Sequence, residues 1–260
     1  MISVEHITVK VGSKVLLNDV STVFESGKMN LIIGPNGAGK STLIKVMCRQ
    51  LKAASGRILF GGKDIAGLDD GHLSKIRSVL SQNIDLAFPL SVWEVVMLGR
   101  YPHFISKPGQ RDEQAVEEAM RFFDVWEMSE RNYLTLSGGE KQRVHFARVL
   151  SQIWFATPGE PRYLFLDEPL TFLDIHYQFE FMHKLLVLLK DPSLVVIGVV
   201  HDLNLAARFA DTLLLLNNGG VLSSGTPAGV ITSDNIQRAF HLAPVIHQQP
   251  DGKAFYVFFE

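Results

Sequence analysis

Apolar positions change their period along the chain, and the changes mark out elements. Met1-Ile2-Ser3-Val4-Glu5-His6-Ile7-Thr8-Val9 alternates as a half-buried strand does. Met29 to Ile33 is a compact apolar strand, Gly34 to Gly39 a glycine-rich loop, and Lys40 to Gln50 predicts a helix. Arg57 to Phe60 and Ser78 to Gln82 predict further strands. From about Ala87 to Ile153 the period turns helical, most regularly over Arg111 to Phe123, with Pro89, Pro102, Pro108 and Gly109 punctuating the first half. Thr157-Pro158-Gly159-Glu160-Pro161 predicts a loop, after which strand and helix alternate: Tyr163 to Asp167, Ile175 to Leu189, Leu194 to Val200, Asp202 to Phe209. Continuous apolar strands between helices predict an α/β fold with a parallel sheet covered on both faces. Asn217-Asn218-Gly219-Gly220 and Pro250-Asp251-Gly252 are hairpin turn signals, and the tail Phe255 to Phe259 is expected as hairpin core.

Composition narrows the function classes. The 260 residues are nearly half apolar, enough for one sizeable core or one domain with an inserted lobe. A formal charge of −2 gives no basic face for nucleic acid or an anionic membrane. The single cysteine, Cys48, fits a reducing compartment and reads as a buried small residue. The N-terminus does not read as a signal peptide, and no apolar run approaches the roughly 20 residues that span a bilayer. A soluble chain is expected, with any membrane role exercised through a partner.

Three segments carry chemistry. Gly34-Pro35-Asn36-Gly37-Ala38-Gly39-Lys40-Ser41 matches the phosphate-binding pattern G-x-x-x-x-G-K-[ST], with the required strand before it and helix after it. Its backbone N–H groups can crowd phosphate oxygens, Lys40 adds a point charge for the β- and γ-phosphates, and Ser41 offers a hydroxyl to Mg²⁺. Tyr163-Leu164-Phe165-Leu166-Asp167-Glu168-Pro169 is a buried strand ending in two acids. Side chains alternate along a strand, so Asp167 suits the Mg²⁺ shell and Glu168 a general base for water. Leu136-Ser137-Gly138-Gly139-Glu140 opens a helix, and Ser137 with Glu140 forms a capping box. Two glycines in the first turn each cost about 1 kcal/mol against alanine. They suggest that an anion approaches the bare helix N-terminus.

With these segments in place, the chain resembles the nucleotide-binding subunits of ABC transporters over essentially its whole length, and Leu136 to Glu140 resembles that family's signature sequence. The resemblance implies an ABC ATPase fold: a P-loop NTPase core with an N-terminal antiparallel β subdomain over 1–86 and 154–260, and an inserted helical lobe over 87–153. It implies ATP and Mg²⁺ as cofactors, with Thr42 joining the loop residues. It also implies a head-to-tail dimer in which Ser137, Gly138, Gly139 and Glu140 of one copy meet the γ-phosphate held by the other. Gln82 resembles the family's Mg²⁺-sensing glutamine, His201 its switch histidine, and Asp174 the aspartate of the loop that crosses between subunits. Two positions depart from the pattern. Phe172 stands where small residues are usual, and Val11, before Gly12, stands where an aromatic residue commonly stacks on adenine.

Leu86-Ala87-Phe88-Pro89-Leu90-Ser91-Val92-Trp93-Glu94-Val95-Val96-Met97-Leu98-Gly99-Arg100-Tyr101-Pro102-His103 and His201-Asp202-Leu203-Asn204-Leu205-Ala206-Ala207 resemble the importer branch for iron-siderophores, haem and cobalamin. Gln152-Ile153-Trp154 with the following Pro/Gly loop and Pro161-Arg162 is most similar to the haem importers. The expected partners are a second copy, integral membrane permease subunits and, indirectly, a periplasmic or surface substrate-binding protein. The expected location is the cytoplasmic face of the cell membrane, held through the permease. A soluble ABC ATPase acting on DNA or ribosomes is the alternative of another class, but this chain lacks a long coiled-coil insertion, a second ATPase unit and a basic surface. A P-loop kinase or binding module would not carry the signature helix. The remaining histidines (His6, His72, His103, His145, His176, His183, His241, His247) show no metal-ligand spacing.

Overall fold

The computed structural model describes residues 1–81, 86–157, 159–171, 173–248 and 255–259. Gln82, Phe172 and the turn at 250–252 therefore lie outside the described residues. The chain forms two compact units, Met1–Leu68 with Leu185–Glu260, and Asp69–Lys184.

The first unit begins with β1 (Ile2–Val11), β2 (Lys14–Phe24), β3 (Met29–Ile33), α1 (Lys40–Met47), β4 (Ser55–Phe60) and β5 (Lys63–Asp64). Four of these strands make an antiparallel sheet in the order β2-β1-β4-β5. Along β1 the buried side chains switch from Ile2 and Val4 to Ile7 and Val9, a change of parity that a regular strand cannot make. The register with β2 shifts between Val4 and Ile7, where His6 has φ +54°, so a bulge absorbs one residue and returns the apolar side chains inward. His6 Nδ1 lies 2.7 Å from Asp19 Oδ1 of the facing strand. The helix predicted over Lys40 to Gln50 stops at Met47, because Arg49 turns left-handed at φ +55°. The N–H groups of Arg49 and Gln50 then bond back to the carbonyls of Val46 and Lys45.

The second unit holds α2 (Asp70–Ile76), β6 (Arg77–Leu80), α3 (Val92–Met97), α4 (Gln110–Phe122), α5 (Gly138–Gln152), β7 (Arg162–Asp167) and most of α6 (Ile175–Leu188). It spans residues 87–153, where an inserted lobe is expected, and also holds the parallel pair β6–β7. The Arg100 guanidinium is buried and held in place. Its Nε and Nη2 reach Asp112 at 3.0 and 2.9 Å, and its Nη1 donates to Ser151 O at 2.7 Å. A pair so satisfied fixes the orientation of α4 and α5 more than it adds stability. Phe146 and Phe181 stack at 3.9 Å between centroids.

The first unit resumes with β8 (Leu194–Val199), α7 (Leu203–Phe209), β9 (Thr212–Asn217), β10 (Gly220–Gly225), α8 (Pro227–Val230), α9 (Ser233–Phe240), β11 (Pro244–Gln248) and β12 (Phe255–Phe259). β3 lies between β8 and β9, parallel to both. Asn30, buried in β3, ties the three together: its amide nitrogen donates to Val196 O at 3.0 Å and its oxygen accepts from Thr212 Oγ1 at 2.7 Å. β9 and β10 form the hairpin predicted at Asn217 to Gly220, with Asn218 and Gly219 at φ +48° and +76°. The tail departs from expectation. Val257 is buried, while Tyr256, Phe258 and Phe259 are 38%, 53% and 44% exposed. Alternation puts Tyr256 and Phe258 on the face opposite Val257, whose backbone exchanges two hydrogen bonds with the Asn204 side chain of α7, and Phe259 is exposed at the end of the strand. Among the described residues, no helix is long and apolar enough to cross a membrane.

Candidate nucleotide site

In the first unit, the loop from Gly34 to Gly39 leaves the end of β3 and runs straight into α1. Glycine is required here by close approach. At Gly34, φ +148°, a Cβ would stand 2.3 Å from Leu216 O. At Gly39, φ +103°, it would stand 2.6 Å from a Leu17 methyl. The loop is buttressed from behind, where Gly219 N–H donates to Ala38 O at 3.1 Å. Lys40 is buried, and its ammonium donates to Gly34 O at 2.8 Å and Pro35 O at 3.0 Å, folding across the loop's mouth. The N-cap of α1 is Gly39, with no side-chain cap and no acidic residue in the first turn. The first turn of α1 therefore offers its N–H groups and positive helix end to an anion with no carboxylate of its own in that turn. Ser41 and Thr42 follow in that first turn, half-buried.

His201 belongs to the same edge. The register pairs Ile32 with Val199, and Val200 N–H bonds to Ile32 O at 3.2 Å. Gly34 and His201 each stand two residues beyond that pair, so both leave the carboxyl ends of neighbouring parallel strands, where ligands bind in such sheets. Asp202 caps α7 by accepting from the N–H groups of Asn204 and Leu205 at 2.7 and 3.0 Å, which fixes the backbone that presents His201. Val11 is 57% exposed at the end of β1.

In the second unit, all six residues of β7 are buried, and Asp167 at its end is 6% exposed. Glu168 follows with φ +53°. A left-handed backbone costs a residue with a Cβ roughly 1–2 kcal/mol, and such outliers gather where side-chain aim matters. Composition gave no sign of this strain. Neighbouring groups hold the bend: Thr171 Oγ1 donates to Glu168 O at 3.0 Å, and Gln142 Nε2 of α5 donates to Pro169 O at 2.8 Å. Further on, Gln178 Nε2 donates to Leu173 O at 2.9 Å. Gln142 and Gln178 were not singled out from sequence; glutamines at helical positions carry no signal of a carbonyl partner far along the chain.

Asp174 is exposed and caps α6, accepting from Tyr177 N–H at 3.0 Å. Ser137 caps α5 in a complete capping box: its N–H and hydroxyl reach Glu140 Oε2 at 2.7 and 2.8 Å, and Glu140 N–H returns to Ser137 Oγ at 3.4 Å. Those Ser137 hydrogen bonds, aided by Arg131 at 3.2 Å, hold the Glu140 carboxyl below its ordinary pKa. The box leaves Ser137 and Gly138 exposed, and a Cβ on Gly139 would meet nothing within 4 Å, so the first turn of α5 is open to an approaching group. Behind it, Tyr133 hydroxyl lies 2.8 Å from Nε2 of the buried His145, whose pKa is pushed down to about 3 by burial, with Arg148 and Lys141 adding to the shift.

A sequence model of the ABC transporter family matches residues 17–171. A hemin import ATP-binding protein, HmuV, of Gloeobacter violaceus is 42% identical over 253 residues, covering 96% of this chain and 90% of that one. Among solved structures, the ATPase of a metal-chelate type ABC transporter in an inward-facing conformation superposes with TM-score 0.82 at 24% identity, covering 100% of this chain and 96% of that one. A bacterial ABC transporter cassette solved as a dimer gives TM-score 0.74 at 26% identity, covering 87% of this chain and 99% of that one.

Proposed function

The chain belongs to the ABC transporter family as an ATP-binding, ATP-hydrolysing subunit, and from that premise we propose that it energises uptake of haem through a membrane permease. The cargo rests on one observation, the 42% identity to a hemin import ATP-binding protein across 96% of the chain. The subunit works at the cytoplasmic face of the membrane as a head-to-tail pair docked on two permease subunits, with a substrate-binding protein delivering cargo on the far side.

The residues divide the chemistry. The N–H groups from Gly34 through Gly39, with Pro35, Asn36, Gly37 and Ala38 shaping the curve, bind the β- and γ-phosphates with Lys40 and Thr42. The oxygen donors of Ser41 and Asp167, with Gln82, fit a hard divalent cation, and the buried carboxylate of Asp167 suits one in particular. Mg²⁺ held by these residues would neutralise charge on the phosphate oxygens. Glu168 takes a proton from water as its oxygen bonds to the γ-phosphorus, and the bond to the β,γ-bridging oxygen breaks to release ADP. His201 steadies the γ-phosphate. Ser137, Gly138, Gly139 and Glu140 offer their helix N-terminus to the nucleotide held by the other copy, and Asp174 acts on the segment that crosses between copies.

Cargo-stimulated hydrolysis tests the reading. The subunit purified with its permease and loaded substrate-binding protein should raise its ATPase rate severalfold with haem. Stimulation by a ferric siderophore or cobalamin but not haem would leave the ATPase and remove the haem assignment.

A further inference from the structure

At the end of α1 opposite the phosphate loop, the first unit contains a cavity of about 390 Å³. The volume lies within the range of small-molecule sites, roughly 300–1,000 Å³. Its wall is apolar and buried: Ile7 of β1, Val46 of α1, Ile58 of β4 and Ile65. Small residues keep it open. Ala53 and Ala66 line it, and Gly56 can carry no side chain, because a Cβ there would stand 2.4 Å from the carbonyl oxygens of Glu5 and His6.

The polar lining is mainly cationic, with Arg49, Lys52 and Arg57 against Asp64. Three of these four have work to do in the fold. Arg49 donates to the carbonyls of Ile65 and Leu68 at 3.0 and 2.7 Å, Arg57 pairs with Glu5 at 2.6 Å, and Asp64 caps the N–H of Ala66 at 2.8 Å. Lys52 is exposed and has neither a hydrogen bond nor an ion pair among the described residues. Beside an apolar wall, an uncommitted ammonium complements a single negative charge on an apolar body.

We propose that this cavity binds a small amphipathic organic anion, with its apolar part against Ile7, Val46, Ile58 and Ile65 and its acidic group on Lys52. Such a site is separate from the phosphate loop: α1, eight residues long, spans about 12 Å between them. An occupant would touch the same helix that carries Lys40 and Ser41, which gives it a short mechanical route to the nucleotide site.

The probe is 8-anilinonaphthalene-1-sulfonate, an aromatic sulfonate whose fluorescence rises in apolar surroundings, titrated onto the full chain held in saturating ATP. The expected result is one saturable site. Lys52→Glu should weaken it at least tenfold, and Ala53→Trp, which fills the cavity, should abolish it, both with ATP binding unchanged. Should Ala53→Trp fail to fold, the surface variant Lys52→Glu carries the test. The absence of a saturable site, or equal binding by Lys52→Glu, would each overturn the proposal.

Discussion

Replacing Glu168 separates its carboxylate from its backbone. Glu168→Gln keeps the size and the left-handed φ of +53° and removes the base. Loss of a general base slows turnover by about 10²–10⁴-fold. That corresponds to about 2.7–5.5 kcal/mol on the barrier. The bond from Thr171 falls on the backbone carbonyl, so it survives the substitution. Glu168→Gly removes the same carboxylate and also the steric cost of roughly 1–2 kcal/mol, offset by about 0.5–1 kcal/mol of extra chain entropy when unfolded. Against Glu168→Ala, which lacks the carboxylate too, its stability should therefore hold or rise by up to about 1.5 kcal/mol. Single-turnover hydrolysis with nucleotide held at saturation, together with denaturant midpoints, reads both quantities. Turnover by Glu168→Gln within threefold of wild type would falsify its role as base. A glycine variant less stable than Glu168→Ala by more than about 1 kcal/mol would show that the left-handed backbone is not strained here.

Three further outcomes follow from the same structure. If the open first turn of α5 serves the other copy's nucleotide, Ser137→Arg and Lys40→Ala chains should each be inactive alone, and their mixture should recover part of the wild-type ATPase rate through one intact composite site. A Ser137→Arg enzyme active by itself would remove the role. Because His145 is held near pKa about 3 against an ordinary 6.5, the unfolded chain takes up its proton first on acidification, so stability present above pH 6.5 is lost as pH falls. Between pH 7 and 5 this costs about 2 kcal/mol. Denaturant midpoints should fall by that much more in wild type than in His145→Gln, and equal losses would contradict it. With exposed Val11 in place of a stacking ring, GTP should compete with ATP within about tenfold, and Val11→Tyr should tighten ATP binding in a competition assay.

How much of this was legible in the sequence depended on whether a feature is local. The phosphate loop was, since strand, glycines, lysine and helix are contiguous and Gly34 and Gly39 are fixed by backbone approach. The place of the two acids at the end of β7 was legible, but the left-handed Glu168 was not, because composition does not report φ for glutamate. The helix from Lys40 was legible but its early end was not, because Gln50 continues a helical pattern that Arg49 interrupts by its backbone alone. The exposure of the aromatic tail is not legible in its composition, because neighbours on a strand face opposite ways, as Val257 and Phe258 do, and Phe259 is exposed at the strand's end. The extent of the second unit, Asp69–Lys184, depends on pairing of β6 with β7 across some 80 residues of sequence, a contact that no local pattern encodes.

The central claim is that ATP hydrolysis by this subunit drives haem across a membrane. The most direct measurement is haem accumulation in vesicles containing the permease, with ATP and this subunit on the cytoplasmic side. Wild type should accumulate haem only with ATP, and Glu168→Gln should bind ATP yet accumulate none over repeated turnovers. Haem uptake that proceeds equally without ATP, or with the Glu168→Gln subunit, would contradict it.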